Sequence, residues 1–308
     1  MTLPDCVYYK VLNSYDSIVN LYRRAFINDL DIIAFDTVEV LENTTQIYII
    51  DWIIQRFQLI PLKQSGVNIG INTTIMIQNT EDKYKLFTIG DIVKTGQLKE
   101  SYFFSESLNI PLLDMPPYSR IVLTLKCTKK GSGKDHAMYK GIHAWYYEFH
   151  EGDKSYPIHE KKEFNNLDEL EVAVFDKCKC KYVDCIPKNY VFCIEPIYKL
   201  TVDEAIENIV DKVGEQIDQA KFIFENTESL NKTSLEIHCQ LDHGILNFIR
   251  QGIYLQMANE YPDFSPNDFM IMYDQPHKLK KDMVFWFVNT KKSMDDSRQM
   301  IVKFLDKY

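Results

Sequence analysis

Polar and apolar positions change pattern several times between residues 12 and 62. In LNSYDSIVNLYRRAFINDLD, residues 12–31, apolar side chains recur at Ile18, Val19, Tyr22, Ala25, Phe26 and Leu30. That spacing follows one face of a helix, with Ser14 or Asp16 as the capping candidate. DIIAFDTVEVLEN then mixes β-branched and polar residues, and Ile33, Phe35, Thr37, Val38 and Val40 mark a strand. Next comes ENTTQIYIIDWIIQRFQLIPL, polar at its start and then dense in Ile49, Ile50, Trp52, Ile53, Ile54, Phe57, Leu59 and Ile60. It predicts a helix from about Tyr48 to Gln58, ended by Pro61. So many apolar residues exceed one face, and a helix apolar nearly all round is normally buried. Either its own chain or a partner must cover it.

From Val67 to Cys127 the period shortens. VNIGINTTIMIQNT, YKLFTIGDIV, SYFFSESLNIPLL and YSRIVLTLKCT read as short β runs between turns. KKGSGKDHAMYKG is a polar loop, IHAWYYEFHEG another strand, and YVFCIEP a strand after a charged, cysteine-bearing stretch. LTVDEAIENIVDKVGEQIDQAKFIFENTESL has the clearest helical pattern, with Thr201 and Glu204 spaced as a capping box. After the polar linker NTESLNKTS, the order is strand (LEIHCQL), helix (from DHGILNF), two strands (DFMIMYDQPH, KDMVFWFVNT) and a last helix (SMDDSRQMIVKFLDKY). A β-α-β-β-α unit of this size is marginally stable alone.

Length and charge narrow the classes. At 308 residues the chain suits roughly two domains. Its net charge of -9 argues against a protein that wraps nucleic acid by itself, since phosphate binding needs a basic face. No apolar run is long enough for a membrane span, and MTLPDCVYYK does not read as a secretion signal. Seven unevenly spaced cysteines then read as reduced thiols in a cytosolic or nuclear setting.

Candidate chemistry is sparse. GSGKDH, residues 131–136, lacks both the glycine spacing and the hydroxyl after lysine that a phosphate-binding P-loop needs. Cys178, Cys180 and Cys185 form an irregular C-x-C-x4-C, with Cys193 or His159 as a further ligand candidate. Zinc takes four ligands, usually as two close pairs, so packed thiols are the alternative. Cys193 shares its strand direction with Val191, which suits a buried thiol. There is no HExxH pair and no close trio of aspartates for two magnesium ions. Arg23 and Arg24 are either a solvated pair or a contact to a partner's acids and carbonyls. The expectation is a chain without an active site of its own.

Residues 20–62 resemble the assembly subunit of cellular RNA polymerases, the bacterial alpha, archaeal D and eukaryotic third subunits. The matching positions are Arg23 and Arg24, then Asp36, Val38 and Glu39, then Glu42, Asn43, Thr44 and Thr45, and finally Asp51, Arg56 and Leu59 to Leu62. Tyr22 departs from the family's leucine. The loop GSGKDHAMYKG is similar to the family's Gly-x-Gly-x-x-His-Ala-Lys, with Met138 in place of that lysine and Lys140 nearby. The C-terminal unit resembles the smaller partner, archaeal L and the eukaryotic eleventh subunit, through Asp242, His243, Asn247, Pro276 and His277, with Lys278 replacing a proline.

The resemblance implies an α+β chain in which two alpha-type dimerisation folds, normally separate molecules, pack together. Residues 1–64 and 189–228 would form the first, residues 65–188 an inserted β-rich domain, and residues 233–308 the second. Ile53, Ile54 and Phe57 would meet Ile206, Val210 and Val213 of the long helix and Leu246, Phe248 and Ile249 of the C-terminal helix. Arg23, Arg24, Gly131, Gly133, Lys134, His136 and Lys140 would face the second-largest polymerase subunit. The implied partners are the two largest subunits, which hold the magnesium and the DNA, and small zinc-bearing subunits. No homo-oligomer, direct nucleic-acid contact or membrane contact is implied. In this chain no cofactor is expected beyond zinc at Cys178, Cys180 and Cys185. One-chain fusion suggests a large DNA virus, hence host cytoplasm or nucleus and packaging in the virion. The rival readings are a self-contained cysteine or metal hydrolase and a regulatory binding module.

Overall fold

The computed structural model describes residues 6–149, 188–226, 234–260, 269–275, 282–289 and 294–307. The chain is mixed α+β and divides into two compact units. Cys178, Cys180, Cys185, His159, Pro276, His277 and Lys278, and the linker at 227–233, lie outside the described residues.

One unit gathers residues 23–145 and 193–212. Its centre is an antiparallel sheet of β3 (Thr37–Asn43), β7 (Arg120–Lys126) and β4 (Asn72–Gln78), in the order β3-β7-β4. Alternation sets the faces. Leu123 lies between Val40 and Ile75, and Ile121, Leu123, Leu125, Ile75 and Ile77 point into the core. The polar residues of the ENTT region hold one end of the sheet. Glu42 pairs with Arg120 at 2.6 Å, the Asn43 amide donates to the Tyr48 carbonyl at 2.8 Å, and Asn43 Oδ1 accepts from the Thr45 hydroxyl at 2.7 Å. At the other end the Asp36 carboxylate accepts from the Thr128 and Lys129 N–H groups at 2.7 and 2.9 Å. The outer edge of β4 is capped at Met76 by Gln97. Its side-chain oxygen accepts from Met76 N–H, and its amide donates to the Met76 carbonyl at 3.1 Å.

The apolar helix α2 (Ile50–Gln58) lies on this sheet. Ile53 and Phe57 are buried in a cluster drawn wholly from residues 33–127. Within that cluster its buried side chains rest on the sheet, and it is not apolar all round in use. Ile49 is 71 % exposed and Ile50 54 %, because only one stripe of a short helix can rest on a sheet. Arg56 secures it from the side, donating to the carbonyls of Leu112 and Pro111 at 3.3 and 3.2 Å. YKLFTIGDIV also differs from its reading as one strand. It is β5 (Lys85–Thr88), paired with β6 (Pro111–Met115), followed by a short helix α3 (Ile89–Lys94). A capping box between Thr88 and Asp91 makes the switch.

The other unit gathers residues 9–22 and the described parts of 146–192 and 213–308. Its sheet has the order β11-β13-β12, from β11 (Ser234–Cys239), β12 (Phe269–Asp274) and β13 (Met283–Asn289), all antiparallel. With it come two helices, α5 (His243–Glu260) and α6 (Met294–Leu305). The two helices approach at Gly252, where an added Cβ would fall 1.9 Å from the Phe304 ring. The long helix α4 (Val202–Asn226) starts at the predicted Thr201–Glu204 capping box. Its later half belongs to this unit. Phe224 and Phe285, both fully buried, meet edge to face with centroids 5.3 Å apart. The helix α1 (Asp16–Asn28) begins here too, with Ser17 N–H donating to the Gln251 side chain at 3.1 Å.

A third sheet has the order β1-β10-β9, from β1 (Val7–Ser14), β9 (Ile142–Phe149) and β10 (Lys188–Pro196). Strand β1 is absent from the sequence reading. β10 is buried from Tyr190 to Ile194, Cys193 included.

Candidate partner interface

Of the residues named from the sequence for a partner, Arg23 and Arg24 lie on α1 and the loop residues lie at its C-terminal end. The loop from Gly131 to Lys140 lies against that end. Gly131 sits under the Tyr139 ring, where a Cβ would stand 2.3 Å from ring carbon. Gly133 passes the Ile27 carbonyl so closely that a Cβ would be 2.3 Å from its oxygen. Backbone cannot yield there, so only glycine fits. Lys134 then donates its N–H to the Asn28 carbonyl at 3.3 Å and pairs its ammonium with Asp29 at 2.5 Å. The Ser132 N–H donates to the Asp135 carboxylate at 3.1 Å, which rounds the turn. His136 Nδ1 accepts from Met138 N–H at 3.2 Å and starts a short helical turn over Ala137–Tyr139.

Lys134, Asp135, His136 and Ala137 are exposed, whereas Arg23, Arg24 and Lys140 are half-buried. Arg23 and Arg24 are thus half-buried on the helix, while the loop exposes His136 and the Asp29-paired Lys134 above a fixed backbone. Beneath it lies Tyr139, 2 % exposed, whose hydroxyl has no hydrogen-bond partner among the described residues. Burial pushes that hydroxyl's pKa up.

One residue of this site escaped the sequence reading. Lys199, 3 % exposed, sends its ammonium under the loop to the carbonyls of Met138 and Lys140. Burial pulls its pKa down to about 8. Nothing in the sequence ties position 199 to position 138.

The expected dimerisation residues divide. Leu246, Phe248 and Ile249 are buried in the unit of β11-β13-β12, and Val213 is buried on α4. Ile206 is half-buried. Val210 is a correction, 55 % exposed, because the buried stripe of α4 runs through Ala205, Ile209, Val213, Ile217, Ala220 and Phe224. Ile53 and Phe57 are buried and Ile54 half-buried, but on the β3-β7-β4 sheet.

Among the described residues no group of three His, Cys, Asp or Glu side chains could hold a metal. Burial raises the Cys127 thiol to about 12 and the Cys193 thiol to about 11. Both stay protonated at neutral pH, a poor state for a nucleophile. No helix among the described residues is long and apolar enough to cross a membrane. No protein-family model and no curated protein matches the sequence.

Proposed function

We propose that the chain is a non-catalytic assembly scaffold of a multisubunit DNA-directed RNA polymerase, on which the two largest, catalytic subunits dock. One observation carries the reading. The C-terminal β-α-β-β-α segment, the later half of α4 and the start of α1 share a single compact unit, with Phe224 against Phe285 at its centre. In the polymerase subunits that the sequence resembles, these parts come from two molecules. Joined by a short linker, they meet at an effective concentration of roughly millimolar. The platform then forms without waiting for a second chain.

The second-largest subunit docks on the surface made by Arg23, Arg24 and the 131–140 loop, and small zinc-bearing subunits join the assembly. In the double variant Arg23→Glu/Arg24→Glu, co-expressed with the large subunits, recovery of the second-largest subunit per folded copy of this chain falls at least tenfold. Undiminished recovery from a folded double variant overturns the proposed surface. The isolated chain incorporates no nucleotide.

A further inference from the structure

The segment that follows β10 is built to push a charged side chain inward. Tyr198 has a φ of 49°, in the left-handed region that a bulky residue rarely occupies. Such outliers persist only where the surroundings enforce them. The turn it makes buries both Lys199 and Leu200. Leu200 fills the space beside Gly141, where a Cβ would stand 2.7 Å from the leucine side chain. Ile197 N–H donates to the Gly141 carbonyl at 3.0 Å. Lys199 reaches past this contact and donates to the carbonyls of Met138 and Lys140, the latter at 2.5 Å. Its own carbonyl accepts from Gln64 N–H at 2.7 Å. The Gln64 side chain in turn takes the Ile33 N–H at 2.7 Å and returns its amide to the carbonyls of Ile33 and Leu62 at 3.0 and 2.8 Å.

A desolvated ammonium is costly unless donors and acceptors are matched. No ion pair of Lys199 occurs among the described residues; its ammonium donates to two backbone carbonyls of one short loop. Charge-assisted hydrogen bonds of this kind are roughly twice as strong as neutral ones. We infer that Lys199 is a positioning residue for the docking loop: it clamps the 137–140 turn from beneath and so fixes the exposed face of residues 134–137 without touching any partner. This rests on the reading of that loop as a docking surface. The backbone of Lys199 is tied to that of Gln64, and the Gln64 side chain to Ile33 and Leu62, so the loop takes part of its position from β2 (Ile32–Ile33) and the LIPL segment as well as from its own glycines.

The test uses the full chain and amide hydrogen exchange. In Lys199→Met the stem still packs but the clamp is gone. Exchange at residues 137–140 is expected to rise at least tenfold, while β4 and β7 keep their protection. Lys199→Arg, which retains a cation, is expected to restore part of the loop's protection. Unchanged loop exchange in Lys199→Met overturns the inference. So does loss of protection throughout β4 and β7, which makes Lys199 a general core residue. A second arm separates the inference from the function it rests on. Loosened loop exchange with unaltered recovery of the second-largest subunit keeps the clamp and removes the docking role; loosened exchange with recovery reduced severalfold supports both.

Discussion

Lys199 shows how one buried residue ties local geometry to solution behaviour. Its usual pKa is 10.5 and burial lowers it to about 8. Between those values the unfolded chain still holds a proton that the folded chain has released. Stability contributed by this group therefore climbs as pH rises through that window and is flat below it. A shift of this size corresponds to at most about 3 kcal/mol, and the two carbonyl bonds, which favour the charged form, reduce it. Denaturant unfolding of wild type and Lys199→Met at pH 8 and at pH 10.5 checks this. The wild type should gain stability relative to the variant at the higher pH; a constant difference between them counts against the assigned shift. Gly131, Gly133 and Lys134 stood out in the sequence through the resemblance of their loop to a family motif, and the structure shows why glycine is needed at the first two: an added Cβ would meet the Tyr139 ring and the Ile27 carbonyl. The lysine beneath them was invisible, since its contacts span about sixty positions and leave no periodic trace.

Elements were legible where local chemistry decides. The Thr201–Glu204 box announced the start of α4, and the structure shows the Thr201 N–H donating to the Glu204 carboxylate at 2.7 Å. Thr201→Ala should cost about 1 kcal/mol, measured as a shift in the unfolding midpoint with unchanged slope. No shift would mean that the first turn is held by packing instead. The Thr88–Asp91 box carries the same signal, yet apolar Leu86, Phe87, Ile89, Ile92 and Val93 masked it, because a short strand running into a short helix mimics one longer strand. For α2 the composition misled. Counting apolar residues does not reveal which of them rest on the sheet, and the residues left over, Ile49 and Ile50, stay in water. Strand β1 shows weak alternation and mostly exposed side chains, so no burial pattern marks it. The C-terminal β-α-β-β-α order was readable because each change of period coincides with a polar turn.

At the scale of the whole molecule, each compact unit has its own interior. Phe285→Ala removes a fully buried ring from the unit of β11-β13-β12, a change that typically costs 3–5 kcal/mol. Hydrogen exchange should then rise in β11, β12 and β13 while β3, β7 and β4 remain protected. Equal loss in both sheets would show that the chain unfolds as one cooperative body. The sheets also face their surroundings differently. An open strand margin is a template on which other chains of the same kind can stack. At β4 one position of that template is already taken, because the Gln97 amide occupies the hydrogen-bonding positions of Met76. A single neutral side chain thus blocks one rung of that margin, and Gln97→Ala is expected to make concentrated samples scatter light sooner on storage; an unchanged onset would show that this rung offers no template.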